Sequence, residues 1–249
     1  MYLLLSGEGK SDLGVCGLAL DLCDSDNFQP GPMSWIVDQL IEHSQGYEFS
    51  HIENNCVSYV SKSYLVTNKP PALQKSMGLP GKKKPLETKY YFENARALAI
   101  AANSKSHELG AVVIAVLFHD SDGTASAGRG DWKNKINSIH AGFNKEGFDY
   151  GVAMMPKPKS EAWLLCAVKE NPYQQCQKLE EVSGNDKGLR PLKEQLSDAL
   201  KGLNSTAQLN ELVRNGQFDI HQINMSSFNV FKDELEQAVK KALNWKSKE

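Results

Sequence analysis

The chain has 249 residues, of which 41% are hydrophobic and 23% are charged, and its formal net charge at pH 7 is −2. This length and composition predict a globular protein with a sizeable apolar core. The near-neutral charge excludes a strongly basic, nucleic-acid-coating protein, although it allows a local basic patch.

The cysteine content predicts neither a disulfide framework nor a structural zinc site, because the count of five is odd and no C-x-x-C pair occurs. That interpretation favours a reducing compartment, the cytoplasm. The apolar stretch at residues 2–5 is too short for a signal peptide, and no apolar run reaches 18 residues. We therefore expect no membrane span.

Apolar periodicity divides the first half of the chain into candidate elements. They are a buried strand at 2–6, a loop near 24–32, a helix from Pro32 to His43, a strand with a trailing segment at 55–66, an exposed loop at 67–86 and a long helix at 87–105.

The second half contains the clearest strand, 110–118, which is β-branched and apolar on both faces. The remaining predicted elements are helices at 131–143, 189–202, 206–214 and 228–243, a strand at 150–155, and a helix capped by Ser160. Strands that alternate with helices predict a mostly parallel α/β sheet, followed by a helical C-terminal extension.

The stretch "LLLSGEGKSDLG" follows the first strand and allows two interpretations. A phosphate-binding P-loop that ends at Gly9-Lys10-Ser11 needs a glycine at position 4, but that residue is Leu4 inside the strand. A metal site is favoured instead, since Glu8 and Asp12 lie just beyond the carboxyl end of a strand, where ligands bind in open α/β sheets. The structural alternatives are a solvated loop carboxylate for Glu8 and a helix cap for Asp12.

A second acidic pair, Asp120 and Asp122, ends the buried 110–118 strand in the sequence "LFHDSDGT". Residues two apart on a strand point to the same side, so both carboxylates can face one ion. Carboxylates gathered at one sheet edge favour Mg²⁺, which takes oxygen ligands and bridges to phosphate. The structural alternative is a turn that uses aspartate for its hydrogen bonds. His119 is expected to pack rather than to act as a base.

Further candidates accompany these acids. Glu161 is either a further metal ligand or a glutamate that stabilises the start of its helix. Lys10 and Lys159 are candidate phosphate-binding residues that can also offset charge in the transition state, or else ordinary surface lysines. The run Lys82–Lys84 is either solvated or grips a nucleic-acid backbone.

Glu8 in "EGKSD" after the first strand, with "DSDG" after a later buried strand, resembles the TOPRIM domain of topoisomerases, primases and nucleases. The pairing of Glu8 with Asp12 is similar to the variant found in OLD-family nucleases. Two further stretches, "QPGPMSWIVDQLI" and "PKPKSEAWLLC", resemble a family of bacterial TOPRIM-like proteins of unknown function. The resemblance covers about residues 1–170.

The resemblance implies a TOPRIM-like domain at 1–170 with an insertion at about 20–95, and a helical extension at 171–249 packed on it. It implies a Mg²⁺- or Mn²⁺-dependent nuclease that cleaves phosphodiester bonds in DNA or RNA. The implied metal ligands are Glu8, Asp12, Asp120, Asp122 and Glu161, and the catalytic set is Glu8, Asp120, Asp122, Lys10 and Lys159. Family analogy adds a role in phage defence and a separate ATPase subunit as partner.

Two alternatives compete with the nuclease. "LFHDSDGT" also resembles the haloacid dehalogenase phosphatase signature, in which Asp120 would be the nucleophile and Asp122 the general acid. That signature normally opens its domain, whereas here it lies near the middle of the chain. The second alternative is a TOPRIM-like interaction module without catalytic activity.

Overall fold

A computed structural model describes residues 1–71, 86–121 and 131–245. Its strands are β1 (Tyr2–Gly7), β2 (Gly14–Cys16), β3 (Leu22–Asp24), β4 (Phe28–Pro30), β5 (Val57–Ser61), β6 (Val113–Phe118) and β7 (Gly151–Met154). Five of them form one mixed sheet in the order β3-β5-β1-β6-β7. β1 runs parallel to β5 and β6, β7 runs parallel to β6, and only β3 is antiparallel. β2 and β4 pair separately.

The helices are α1 (Pro32–Gln45), α2 (Lys62–Thr67), α3 (Leu86–Leu109), α4 (Trp132–Lys145), α5 (Ser160–Val168), α6 (Leu192–Ala199), α7 (Thr206–Arg214) and α8 (Ser226–Leu243). Proline at the first position of α1 suits its start, since that residue needs no amide hydrogen bond. Gly46, in a left-handed conformation, ends the same helix.

Together, these strands and helices confirm the predicted α/β class with a mostly parallel sheet.

Alternating side chains of β1 and β6 give the sheet an apolar layer on each face. Leu3 and Leu5 pack into a core that includes side chains of α1, α5 and α8. Leu4 packs into a second core with side chains of α3 and α4. All six residues of β6 are buried, because both faces of this central strand are covered by helices.

The predicted insertion and the C-terminal region contribute side chains to the same layers. Residues 20–95, predicted as an insertion, supply β3 and β5 to the sheet and α1 to one of its faces. In the C-terminal region, the rings of Phe228 and Phe231 lie 5.0 and 5.7 Å from the ring of Trp163. The indole of Trp163 also donates a hydrogen bond to Ser227 Oγ at 2.9 Å. Helix α8 therefore packs on α5 in the core.

The prediction that the chain has no disulfides is wrong. Cys16 is bonded to Cys23, Cys166 is bonded to Cys176, and Cys56 is a free thiol. An odd cysteine count leaves one thiol over and excludes nothing more, so counting alone could not find these pairs. The argument for a reducing compartment loses its basis. Among the helices described, none is both long and apolar enough to cross a bilayer.

The close packing of α3 against α4 depends on Gly142. A Cβ atom at this position would lie 2.4 Å from the carbonyl oxygen of Phe92 and 2.7 Å from Ala95 Cβ. At an exposed position inside a helix, replacing glycine by alanine normally raises the free energy of unfolding by about 1 kcal/mol. We expect Gly142→Ala instead to lower the free energy of unfolding by about 1–3 kcal/mol, because the two helices must move apart. Urea unfolding measures the change.

The control is Asn144→Ala on the exposed face of α4, which should stay within about 0.5 kcal/mol of the parent. A Gly142→Ala protein as stable as the parent would show that α3 and α4 are not in such close contact.

Candidate functional site

Acidic residues from three chain segments lie at the carboxyl edge of the sheet. Glu8 and Asp12 follow β1, Asp120 follows β6, and Glu161 lies in the first turn of α5, after β7. β1, β6 and β7 are parallel neighbours, so the segments that leave them emerge on one side. This is the edge at which α/β sheets bind ligands.

A tight turn folds Asp12 back toward β1. The amides of Asp12 and Leu13 both donate to the carbonyl oxygen of Gly9 at 3.1 Å. Gly9 has a φ of +87°, and a Cβ atom there would lie 2.5 Å from Asp12 Oδ2. The turn thus requires glycine at this position. The carbonyl of Asp12 also accepts a hydrogen bond from Met33 N at 3.0 Å, which ties the turn to the start of α1.

Ser160 joins the two halves of the site. Its hydroxyl donates a short hydrogen bond to Asp12 Oδ1, and its backbone amide donates to Asp120 Oδ1 at 3.0 Å. Ser160 is fully buried. The predicted capping role of Ser160 is wrong: Lys159 occupies the cap position without a side-chain cap, and Ser160 is the first helical residue. Two carboxylates that are 108 positions apart in the sequence are therefore held by one residue.

Glu161 lies beside this bridge. Its Oε2 atom is 3.5 Å from Ser160 Oγ. Burial, and then the negative charge of Asp12, raises the pKa of the Glu161 carboxyl above its usual value. Asp12 Oδ1 and Glu161 Oε2 both lie within 3.5 Å of Ser160 Oγ.

Glu8 occupies a different electrostatic environment at the same edge. Its Oε2 atom is 3.1 Å from Lys62 Nζ, and its Oε1 atom is 3.3 Å from His119 Nδ1. Although burial acts to raise the pKa of Glu8, the contacts with His119 and Lys62 lower it to about 2. Glu8 is thus a carboxylate at neutral pH.

His119 is fully buried, as predicted, against the rings of Tyr90 and Tyr91, whose centroids lie 5.5 and 5.1 Å from its own. Its Nδ1 atom pairs with Glu8 Oε1, whereas its Nε2 atom makes no hydrogen bond within the described part of the chain. Buried polar atoms are normally paired, so Nε2 of His119 has hydrogen-bonding capacity left.

The two predicted lysines, Lys10 and Lys159, lie in different surroundings. Lys10 is exposed and lines a cavity of about 430 Å³ together with Glu8 and Lys62. Lys159 Nζ lies 2.8 Å from Asp186 Oδ2, so Lys159 makes an ion pair with the C-terminal region.

Two predictions fall outside the described residues: Asp122, and the run Lys82–Lys84. Within the described ranges, no three His, Cys, Asp or Glu side chains are close enough to form a metal site without other ligands.

Two functional candidates were missed by sequence reasoning. Lys62 follows β5, and it could have been found only if β5 had been recognised as the parallel neighbour of β1. Lys135 in α4 is 5% exposed, and its ammonium donates to the carbonyl oxygen of Ser121 at 2.9 Å and lies 5.6 Å from the ring of Tyr91. A buried lysine is rare and indicates a specific role, here beside the segment that carries Asp120.

In comparisons with known proteins, no protein-family model, curated protein or solved structure matches the chain.

The low pKa of Glu8 predicts a dependence of stability on pH. The carboxyl has a pKa of about 2 in the folded protein, against a usual value of 4.5. Between these values the unfolded chain binds more protons than the folded protein, so the free energy of unfolding rises as the pH rises from 2 to 4.5. The stabilisation that Glu8 provides is lost again as the pH falls from 4.5 to 2. We expect Glu8→Gln to remove part of that rise, measured as the urea midpoint across this pH range.

Glu53→Gln is the matched control, because it removes another carboxylate that pairs with a cation, Arg214, outside the site. The Glu53→Gln protein should keep the part of the rise in urea midpoint that Glu8 contributes. A Glu8→Gln profile parallel to that of the parent protein would contradict the assignment.

Proposed function

We propose that the chain is a metal-dependent, TOPRIM-like nuclease that cleaves phosphodiester bonds in DNA or RNA. The observation that carries the proposal is the pair Asp12 and Asp120, joined through Ser160, with Glu161 beside them. The resemblance of the "EGKSD" and "DSDG" motifs supports the proposal, because the acids of these motifs among the described residues lie at one edge of the sheet. These acids are Glu8, Asp12 and Asp120.

The donors fit Mg²⁺ or Mn²⁺ by their chemistry. Asp12, Asp120 and Glu161 offer carboxylate oxygens, and Mg²⁺ is commonly held by one or two carboxylates with water and substrate phosphate completing its shell. A complete protein cage is therefore not required. Burial and, after it, the negative charge of Asp12 raise the pKa of Glu161, and a bound cation would offset both effects.

Asp12, Asp120 and Glu161 would hold the ion, with Asp122 as a further ligand that the resemblance implies. The resemblance also implies Glu8 as a ligand, but Glu8 pairs with Lys62 and His119 instead. When bound, the ion supplies an activated water and stabilises the negative charge on the leaving oxygen. Ser160 orients two of the ligands through its hydroxyl and its amide. Such outer contacts fix ligand geometry and tune affinity.

Glu8 and the nearby cations serve the substrate in this proposal. With its pKa at about 2, Glu8 is a poor proton donor at neutral pH, which favours an ionic role over general acid catalysis. It orients Lys62, whose ammonium shares the 430 Å³ cavity with Lys10. These two lysines contact backbone phosphates and provide locally the positive charge that the chain lacks as a whole.

Two parts of the proposal rest on the resemblance alone: the separate ATPase subunit and the role in phage defence. The cytoplasmic location was inferred from the cysteine content, and the two disulfides argue against it, since disulfides persist mainly in oxidising compartments.

The test incubates the protein with plasmid DNA, tRNA and an aryl phosphate monoester in the presence of Mg²⁺ or Mn²⁺. We expect cleavage of a nucleic acid and none of the monoester. Asp120→Asn and Asp12→Asn should each lower the cleavage rate by about 100-fold or more, since each removes a charged group from the proposed ion site. Gel analysis and release of the aryl alcohol measure the two activities.

Asp198→Asn in α6 is the control, because it removes an exposed carboxylate outside the site, and it should keep the full rate. Turnover of the monoester alone would favour the phosphatase. No turnover of any substrate by the folded protein would contradict the proposal and favour the interaction module.

A further inference from the structure

A second group of titratable side chains lies at the far end of α1 from the carboxylates. The start of α1 contacts Asp12 through Met33 N, whereas His43 lies ten residues later in the helix. At 1.5 Å per residue, this separation is about 15 Å along the helix axis. Any ligand of His43 is therefore distinct from a ligand of Asp12.

His43 faces His221, which belongs to a short 3₁₀ helix, Ile220–Gln222. Their ring centroids are 4.3 Å apart, with an interplanar angle of 44°. The two histidines come from segments almost 180 residues apart in sequence, and both side chains are exposed to solvent. Two imidazoles at this distance on separate elements can converge on one ion.

The backbone on each side is fixed. Gly46, in a left-handed conformation, ends α1 three residues after His43. The carboxylate of Asp219 accepts a hydrogen bond from the backbone amide of His221 at 3.1 Å, and its own amide donates to the hydroxyl of Tyr173 at 2.9 Å. The neighbouring Ile220 is buried. The histidine pair is thus held by the fold on both sides.

The surroundings of the pair favour a cation. Both rings line a cavity of about 560 Å³ that also contains Glu42, Glu48 and Asp219, and no described residue that lines it is a lysine or arginine.

We propose that His43 and His221 bind a divalent transition-metal ion of the zinc, nickel or copper class. Imidazole nitrogen is a preferred ligand of these ions, whereas Mg²⁺ and Ca²⁺ prefer oxygen. Since the described chain places no third His, Cys, Asp or Glu close enough to complete the site, water fills the remaining positions. The bound ion joins the end of α1 to the segment between α7 and α8 and stabilises the folded protein by mass action.

The test titrates the full chain with Zn²⁺ by calorimetry, in excess Mg²⁺ so that the carboxylate edge is saturated with the harder ion. We expect His43→Ala and His221→Ala each to weaken Zn²⁺ binding by about tenfold or more, since even outer contacts of a metal site contribute 10–100-fold. Zn²⁺ should raise the Tm of the parent protein but not that of either variant.

His107→Ala is the matched control, because His107 is another exposed histidine in the last turn of a helix, and it should bind Zn²⁺ as the parent does. Unchanged Zn²⁺ affinity in both His43→Ala and His221→Ala, or no Zn²⁺ binding by the parent, would overturn the proposal. These outcomes are independent of nuclease activity, so the two proposals fail separately.

Discussion

The contact on which the candidate site depends is the double hydrogen bond of Ser160. Its hydroxyl binds Asp12 from the turn after β1, and its amide binds Asp120 from the segment after β6. Because Ser160 is buried and both carboxylates are half-buried, these two contacts are partly shielded from bulk water. One residue at the start of α5 thereby converts two separate loop carboxylates into a pair with a fixed relationship.

The surrounding backbone leaves this arrangement little freedom. A Cβ atom on Gly31 would lie 2.1 Å from the carbonyl oxygen of Asp12, so the chain before α1 can approach the Asp12 turn only because residue 31 is glycine.

The carboxylates on the two sides of this sheet edge have different electrostatic surroundings. The pKa of Glu8 is lowered beside Lys62 and His119, whereas burial and Asp12 raise the pKa of Glu161. This division suits an edge that takes a cation on one side and substrate phosphate on the other.

Sequence patterns predicted those parts of the molecule that local physics decides. β1 and β6 are runs of branched apolar residues, and α1, α3, α4 and α8 have helical periodicity and mostly the predicted bounds. The strand pattern also predicted that four acids lie at one edge of the sheet, because parallel strands present their carboxyl ends together. These acids are Glu8, Asp12, Asp120 and Glu161. The three-residue strands β2, β3 and β4 were missed, because they are too short for periodicity to reveal.

The remaining features depend on tertiary contacts that spacing does not encode. Ser160 has the sequence of a helix cap, but the approach of the Asp12 turn gives its hydroxyl another partner. Lys62 and His119 meet Glu8 only because β5 and β6 lie on either side of β1. The cysteine pairs depend in the same way on how the loops fold.

A crystal structure of the protein soaked in Mn²⁺, with anomalous scattering used to locate the ion, shows whether Asp12 and Asp120 hold a metal. We expect an anomalous peak within about 2.0–2.5 Å of carboxylate oxygens of both residues. An Mn²⁺ peak bound elsewhere on the protein, with Asp12 and Asp120 still hydrogen-bonded to Ser160 and without an ion, would contradict it.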